Sequence, residues 1–289
     1  VKISLAVSPD ADDLFMVRAL LDGLIDVGPY EFAVTHSPTD ALNAIADGAG
    51  AGTGGSEGVI DVVAISIAHY PRVHRWYALL GHGGSMGEGY GPVVVAREAR
   101  ALASLRGARL AVPGLTTSAW LVFRLLFPEV DVTPVVIPID PYQRVFDALA
   151  AGEVDAALLI HEGRLTYEDH GLARVAELGE SWAAATGGLP LPLGGNAIRR
   201  GLGEHVAPVS ALLRASVAHA LADREAAMAW LLARGGALGT RERVDRYLGM
   251  YANARTLDYG EEGRRAIDHL FTWAAERGLL PPVGRVDFA

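Results

Sequence analysis

Short apolar runs alternate with helix-forming segments through the first two thirds of the chain, and this rhythm limits the possible folds more than any other feature. Ile3–Val7 is apolar and is broken by Ser8-Pro9-Asp10. Asp12 or Asp13 can cap the helix that follows, from Leu14 to about Leu24, whose apolar positions recur at helical spacing. Tyr30–Thr35 reads as a second strand, and Ser37-Pro38-Thr39 opens a helix over Asp40–Asp47 with Pro in its first turn. Gly48–Gly58 is almost wholly Gly, Ala, Ser and Thr and reads as a flexible surface insertion. Val59–Ile67 is a buried strand. A β-α-β-α-β order of this kind builds a mostly parallel sheet with helices on its faces.

The pattern then recurs. Trp76–Leu80 and Val93–Ala96 are strands around a second glycine-rich stretch, Gly81–Gly91. Leu110–Val112, a helix opening at Thr116–Ser118, Val132–Pro138, a helix over Tyr142–Ala151 and Ala156–Ile160 make another α/β unit. Leu189–Ile198 is extended, and Leu202–Gly278 is nearly all helical. A chain of 289 residues has room for about two domains or lobes. The helical C-terminal third has no sheet of its own, so it is expected to pack back on the first unit. The chain then crosses twice between units, near Pro92–Arg97 and near Pro190–Ile198. The expectation is an α/β protein of mixed, mainly parallel sheets. Lobe 1 comprises residues 1–91 plus 195–289, lobe 2 comprises 92–194, and the ligand cleft lies between them.

Composition removes whole classes of chemistry. Cys is absent, which excludes thiol nucleophiles, disulfides and Cys-ligated zinc or iron–sulfur clusters. Of the 25 basic residues only Lys2 is a lysine, so there is no Walker A loop and no credible Schiff-base lysine. The net charge of −9 argues against a nucleic-acid partner. No apolar run approaches the roughly 18 residues of a membrane span, and Val1–Val7 lacks the regions of a signal peptide, which points to the cytoplasm.

Several motif matches fail on context. Gly50-Ala51-Gly52-Thr53-Gly54-Gly55 fits GxGxxG but follows a helix and precedes a strand, the reverse of a dinucleotide site. Gly83-Gly84-Ser85-Met86-Gly87 fits the nucleophile elbow, yet no helix follows the serine, and a mobile loop is expected. Asp10-Ala11-Asp12-Asp13 begins like a calcium loop, but Leu14 and Phe15 stand where a ligand and a glycine belong. His69 and His74 are five apart, a poor spacing for a shared metal on a helix. Neither a metal nor a cofactor is expected.

Three strand ends remain, and ligands of open α/β sheets bind outside the carboxyl ends of strands. The first is Ser8-Pro9-Asp10-Ala11-Asp12-Asp13, where capping accounts for one Asp but not three; Ser8, Asp10 and Asp13 are its candidates. The second is Pro113-Gly114-Leu115-Thr116-Thr117-Ser118, where three hydroxyls and the free N–H groups of a helix start suit a carboxylate. The third is Leu158-Leu159-Ile160-His161-Glu162-Gly163-Arg164, where an apolar strand delivers His161, a side chain fit for general-base work.

These segments carry a family likeness. Gly91-Pro92-Val93-Val94-Val95-Ala96-Arg97, Val112-Pro113-Gly114 with Thr116-Thr117-Ser118-Ala119, and Gly152-Glu153-Val154-Asp155 resemble the menaquinone-biosynthesis proteins of the futalosine route. So do Ile160-His161-Glu162-Gly163-Arg164-Leu165-Thr166-Tyr167, Gly187–Leu193, Tyr251-Ala252-Asn253-Ala254 and Gly260-Glu261-Glu262-Gly263. The likeness is greatest to the 1,4-dihydroxy-6-naphthoate synthase group. It implies a two-lobed fold like the type II periplasmic binding proteins and a cofactor-free lyase acting on cyclic de-hypoxanthine futalosine, a small carboxylated substrate. It implies His161 as the base, with Thr117, Ser118, Thr116 and the strand-end Ser66 around the substrate. A solute-binding protein and a chorismate dehydratase of the same pathway share the fold. Two segments depart from the family's usual pattern. Ala64-Ile65-Ser66 stands where Lys-Leu-Ser is common, and Ser8-Pro9-Asp10-Ala11-Asp12-Asp13 stands where Ser-Pro-x-Pro-Asn-Asp is common. Both make the ligand end more negative.

Overall fold

The computed structural model describes residues 1–48, 59–139 and 141–289. The glycine-rich insertion expected at Gly48–Gly58 therefore lies, beyond its first residue, outside the described residues.

The N-terminal part runs β1 (Lys2–Val7), α1 (Ala11–Leu21), β2 (Glu31–His36), α2 (Thr39–Asp47), β3 (Val62–Ser66), a short α3 (Tyr70–Val73), β4 (Tyr77–Leu79) and β5 (Ser85–Gly87). The middle runs β6 (Val93–Ala96), β7 (Arg109–Val112), α4 (Ser118–Leu126), β8 (Thr133–Val136), α5 (Gln143–Ala151), β9 (Ala156–Leu159), α6 (Gly163–Thr166), β10 (Ala173–Glu177) and α7 (Leu178–Thr186). The chain returns through β11 (Leu191–Arg199) and ends in α8 (Val206–Ala222), α9 (Arg224–Arg234), α10 (Arg241–Tyr251), α11 (Ala254–Leu257) and α12 (Gly260–Glu276).

Two sheets result. The first has the order β2-β1-β3-β11-β4, with β5 also paired to β11, and the second has the order β10-β6-β9-β7-β8. Both are mixed, for one topological reason. Strands joined through a helical crossover, β1 with β2 and β3, and β7 with β8 and β9, pair in parallel. Strands at the crossings between the sheets, β11 and β6, pair antiparallel with their neighbours. Parallel pairing thus dominates only within the βαβ windings. β11 belongs to the first sheet from Leu191 onward, where Leu191 faces Gly87. The return from the second sheet to the first is therefore complete by Leu191.

The C-terminal helices pack on the first unit, as their lack of a sheet required. Phe15 and Met16 of α1 are buried against Val217, Ala220, Met228, Leu231, Tyr247 and Leu248. Ile267, Leu270, Phe271 and Ala274 of α12 join the core around β3 and β11. Among the described residues no helix is long and apolar enough to cross a membrane.

Two local expectations are corrected. α1 begins at Ala11, not Leu14, because Asp10 is the N-cap: its Oδ1 accepts from the Asp13 amide at 3.3 Å. This places Asp12 and Asp13 inside the first turn. The segment around Ser85 is a strand paired to β11 rather than a loop. Its glycines serve close packing, since a Cβ on Gly84 would overlap the Tyr259 hydroxyl and lie 2.5 Å from the Gly194 carbonyl.

Candidate active site

A cleft of about 720 Å³, counting its solvent-open part, lies where strands of both sheets end. Ser8, Asp10, Asp12, Asp13, Thr39, Ser66, Ser85, Thr117, Ser118, His161 and Tyr251 supply its polar lining, with Ala64, Leu42 and Leu193 among the apolar residues. Seven of the eight residues expected from the sequence meet here. Thr116 does not: its Oγ1 and carbonyl accept from Asn43 Nδ2 at 3.0 and 3.3 Å, behind the lining. Asn43 is fully buried, and it also donates to Ser66 Oγ (3.3 Å) and accepts from the Ser66 amide (3.0 Å). One amide thus ties the end of β3 to the turn before α4.

The hydroxyls of that turn are already engaged. Thr117 caps α4, donating to the Gly114 carbonyl at 2.8 Å and accepting from the Trp120 amide at 3.3 Å. Ser118 Oγ donates to the Leu193 carbonyl at 2.6 Å and accepts from the Ala68 amide at 3.1 Å. The N–H groups of Ser118 and Ala119, both in the cleft lining, are left without intrahelical partners by the first turn of α4. Among the described lining residues there is no Lys or Arg.

His161 follows β9 and is the one non-glycine residue with positive φ (46°) among the described residues. A left-handed backbone at such a residue costs roughly 1–3 kcal/mol and is held only where the surroundings impose it. They do so here: the Tyr142 hydroxyl donates to the Ile160 carbonyl, and its ring lies where a Cβ on Gly163 would sit. His161 Nε2 lies 3.2 Å from Thr39 Oγ1. Its Nδ1 lies 3.4 Å from the Tyr247 hydroxyl and 3.1 Å from Asp10 Oδ2. The ring N–H direction does not meet Asp10, whose buried Oδ2 has no hydrogen-bond partner among the described residues. The approach to Asp10 is thus one of charge rather than a hydrogen bond.

Four carboxyl groups crowd this end. The Ser8 amide donates to Asp13 Oδ2 (2.7 Å), the Ala11 amide to Glu162 Oε1 (3.0 Å) and the Tyr247 hydroxyl to Asp12 Oδ1 (2.7 Å). Burial, and next the neighbouring Asp10 carboxylate, holds Asp12 and Asp13 well above the usual carboxylate range and raises Glu162. Each of these acids binds its proton more tightly folded than unfolded. Their contribution to stability therefore declines as pH climbs from the ordinary carboxylate range, about 4, through the raised values. Asp12→Asn should accordingly gain stability over the unchanged protein, by an amount that grows from about pH 4 to about pH 7. Thermal melts across that range check this, and a gain that shrinks with pH would contradict it.

Asp10, Asp12 and His161 also hold donor atoms within 4.8 Å of one another, a spacing a cation could bridge. The Tyr247 phenol reaches in among these same groups. The histidines flagged by spacing are separately employed. His69 Nε2 lies 3.0 Å from Asp47 Oδ1, and His74 Nδ1 lies 3.0 Å from the Pro71 carbonyl.

Thr39, Asn43, Tyr247 and Tyr251 were absent from the sequence candidates. Thr39 was within reach of the strand-end rule, since it follows β2. Tyr247 was not, because 86 residues separate it from His161.

A family model described as menaquinone biosynthesis matches residues 3–276. The chain belongs to the menaquinone biosynthesis family. It is 37% identical over 284 residues to a 1,4-dihydroxy-6-naphthoate synthase of Streptomyces coelicolor, covering 98% of this chain and 96% of that protein. It is 38% identical over 287 residues to one of Thermus thermophilus, covering 98% and 97%. A crystal structure of an Archaeoglobus fulgidus protein superposes with a TM-score of 0.84 at 38% identity, over 96% of this chain and 98% of that one. The alkanesulfonate-binding protein of Xanthomonas axonopodis superposes with a TM-score of 0.69 at 18% identity, over 99% and 96%, which shows a shared periplasmic-binding-protein-like fold and no more. Within the menaquinone biosynthesis family the chain is an enzyme built on a receptor's architecture.

Proposed function

We propose that this enzyme is a cofactor-free lyase that converts cyclic de-hypoxanthine futalosine to 1,4-dihydroxy-6-naphthoate, with His161 as the base. The reading rests on His161, a strand-end imidazole in a strained backbone whose Nε2 faces Thr39 in the cleft lining. The names of the two synthases that the chain resembles supply the product.

In this reading Nε2 takes a proton from carbon beside a carbonyl. The C–H electron pair passes through an enolate and expels a leaving group from the neighbouring carbon, and the ring becomes aromatic. Aromatisation drives the reaction, so the protein's share is a base, an anchor and exclusion of water. Asp10, close to Nδ1, offsets the positive charge that the ring acquires. The substrate carboxylate sits at the N-terminus of α4, on the Ser118 and Ala119 amides, since no cation is available among the described lining residues. Ser8 and Ser66 add hydroxyls, and Asp13 holds the Ser8 turn. Two lobes, each built on one sheet, close over the bound molecule.

Purified protein incubated with the cyclic futalosine derivative, without added metal or nucleotide, should release the naphthoate, followed by mass spectrometry. Binding without turnover would instead make the protein a receptor, and consumption of chorismate would make it a dehydratase.

A further inference from the structure

The hydrogen-bond partners of His161 impose a direction on its protons. Burial, then the Asp12, Glu162 and Asp10 carboxyls, keeps the Tyr247 hydroxyl protonated well beyond the neutral range. That single proton is directed to Asp12 Oδ1, at 2.7 Å, while the proton that Asp12 itself holds lies in its hydrogen bond with the Asp10 carboxyl. The phenol oxygen can then only accept from His161, whose Nδ1 is 3.4 Å away. A neutral imidazole carries one N–H, so a proton on Nδ1 leaves Nε2 with its lone pair. Thr39 Oγ1, 3.2 Å from Nε2, can donate to that lone pair until a substrate displaces it.

We propose that Tyr247 is a positioning residue that, anchored on Asp12, fixes His161 in the Nδ1–H tautomer. This inference rests on the reading of His161 as the base. It assigns a chemical task to α10, a helix of the C-terminal third. It also joins parts of the chain that are far apart. Asp12 and Tyr247 stand on the side of the first sheet, on α1 and α10, whereas His161 follows β9 of the second. The tautomer is therefore set by a contact made across the cleft. With the units apart, the ring is free to take its proton on Nε2, where it cannot act as a base.

The test is Tyr247→Phe in the full chain. The substitution keeps the ring against Tyr251, at 4.8 Å between centroids, and removes only the hydroxyl. Nitrogen-15 spectra of histidine-labelled protein, with the His161 signals assigned through His161→Asn, read the tautomer directly. The unchanged protein should show Nδ1–H, and both Tyr247→Phe and Asp12→Ala should move the population toward Nε2–H. Turnover should fall about 10–10²-fold in kcat with KM little altered, because a wrong tautomer disables a histidine base without emptying the pocket. The spectra need no substrate. A moved tautomer with no turnover even in the unchanged protein would overturn the lyase reading and leave the positioning role standing. An unmoved tautomer would overturn the positioning role itself. So would broadening of the His161 signals by one equivalent of Mn²⁺, which would put a cation where the phenol bridge is drawn.

Discussion

His161→Ala should lower kcat by about 10²–10⁴-fold while substrate binding survives, the loss typical of removing a positioned base. The cleft supports the second half of that expectation. Ser8, Ser66 and the amides at the start of α4 line it independently of the imidazole. Alanine at this position inherits a φ of 46°, so His161→Asn is the better-controlled partner, because asparagine tolerates the left-handed region. Both variants should lose turnover alike. Single-turnover kinetics and equilibrium binding with the cyclic futalosine derivative separate the two steps. Retention of kcat within a few-fold would remove His161 from the chemistry.

Arg164→Ala should unfold the protein more readily by about 3–5 kcal/mol, the usual cost of stranding one half of a buried ion pair. Arg164 donates through Nε to the Gly91 carbonyl at 2.6 Å and pairs with Glu177, whose side chain is 1% exposed. Glu177 also accepts from the Gly179 amide at 3.2 Å. Burial pushes the Glu177 carboxyl up, and Arg164 is the chief opposing influence. Without the guanidinium, Glu177 is left either charged in the interior or protonated. Chemical denaturation should show the loss, and Arg164→Met with Glu177→Leu should recover much of it, since well-packed apolar pairs often match buried ions. Equal instability in the single and double variants would show that the ion pair itself is required.

The fold was legible because its central strands are short, mostly apolar and separated by turn residues: Val62–Ser66 and Val93–Ala96 are buried along their whole length. The strand-end rule then found Ser8, Thr117, Ser118 and His161, since a parallel winding must bring those ends together, and the family likeness added Ser66. What escaped was decided by partners distant in sequence. Thr116 reads like its neighbours, and only Asn43 draws it behind the lining. Asp10 reads like Asp12, yet taking the cap turned its neighbours inward. Ser85 sits in a run that is flexible on paper, and β11 arrives about a hundred residues later to pair with it. Tyr247 sits one helical turn before Tyr251, and nothing local distinguishes it from an ordinary core tyrosine.

At the first crossing between the sheets, a Cβ on Gly87 would overlap the Tyr90 carbonyl oxygen, and one on Gly179 would overlap the Tyr90 backbone from the other side. Gly179 also donates to Glu177, which ties this clasp to the buried ion pair. Glu88 and Gly89, between Gly87 and Tyr90, are exposed, yet Glu88 pairs with Arg255 and Gly89 holds a φ of 73°. The connection is thus held along its length, by close packing at Gly87, by an ion pair at Glu88 and by backbone conformation at Gly89. In lineages that keep this crossing, glycine should persist at positions 87, 89 and 179, marking in a family's history the connection that joins the two sheets.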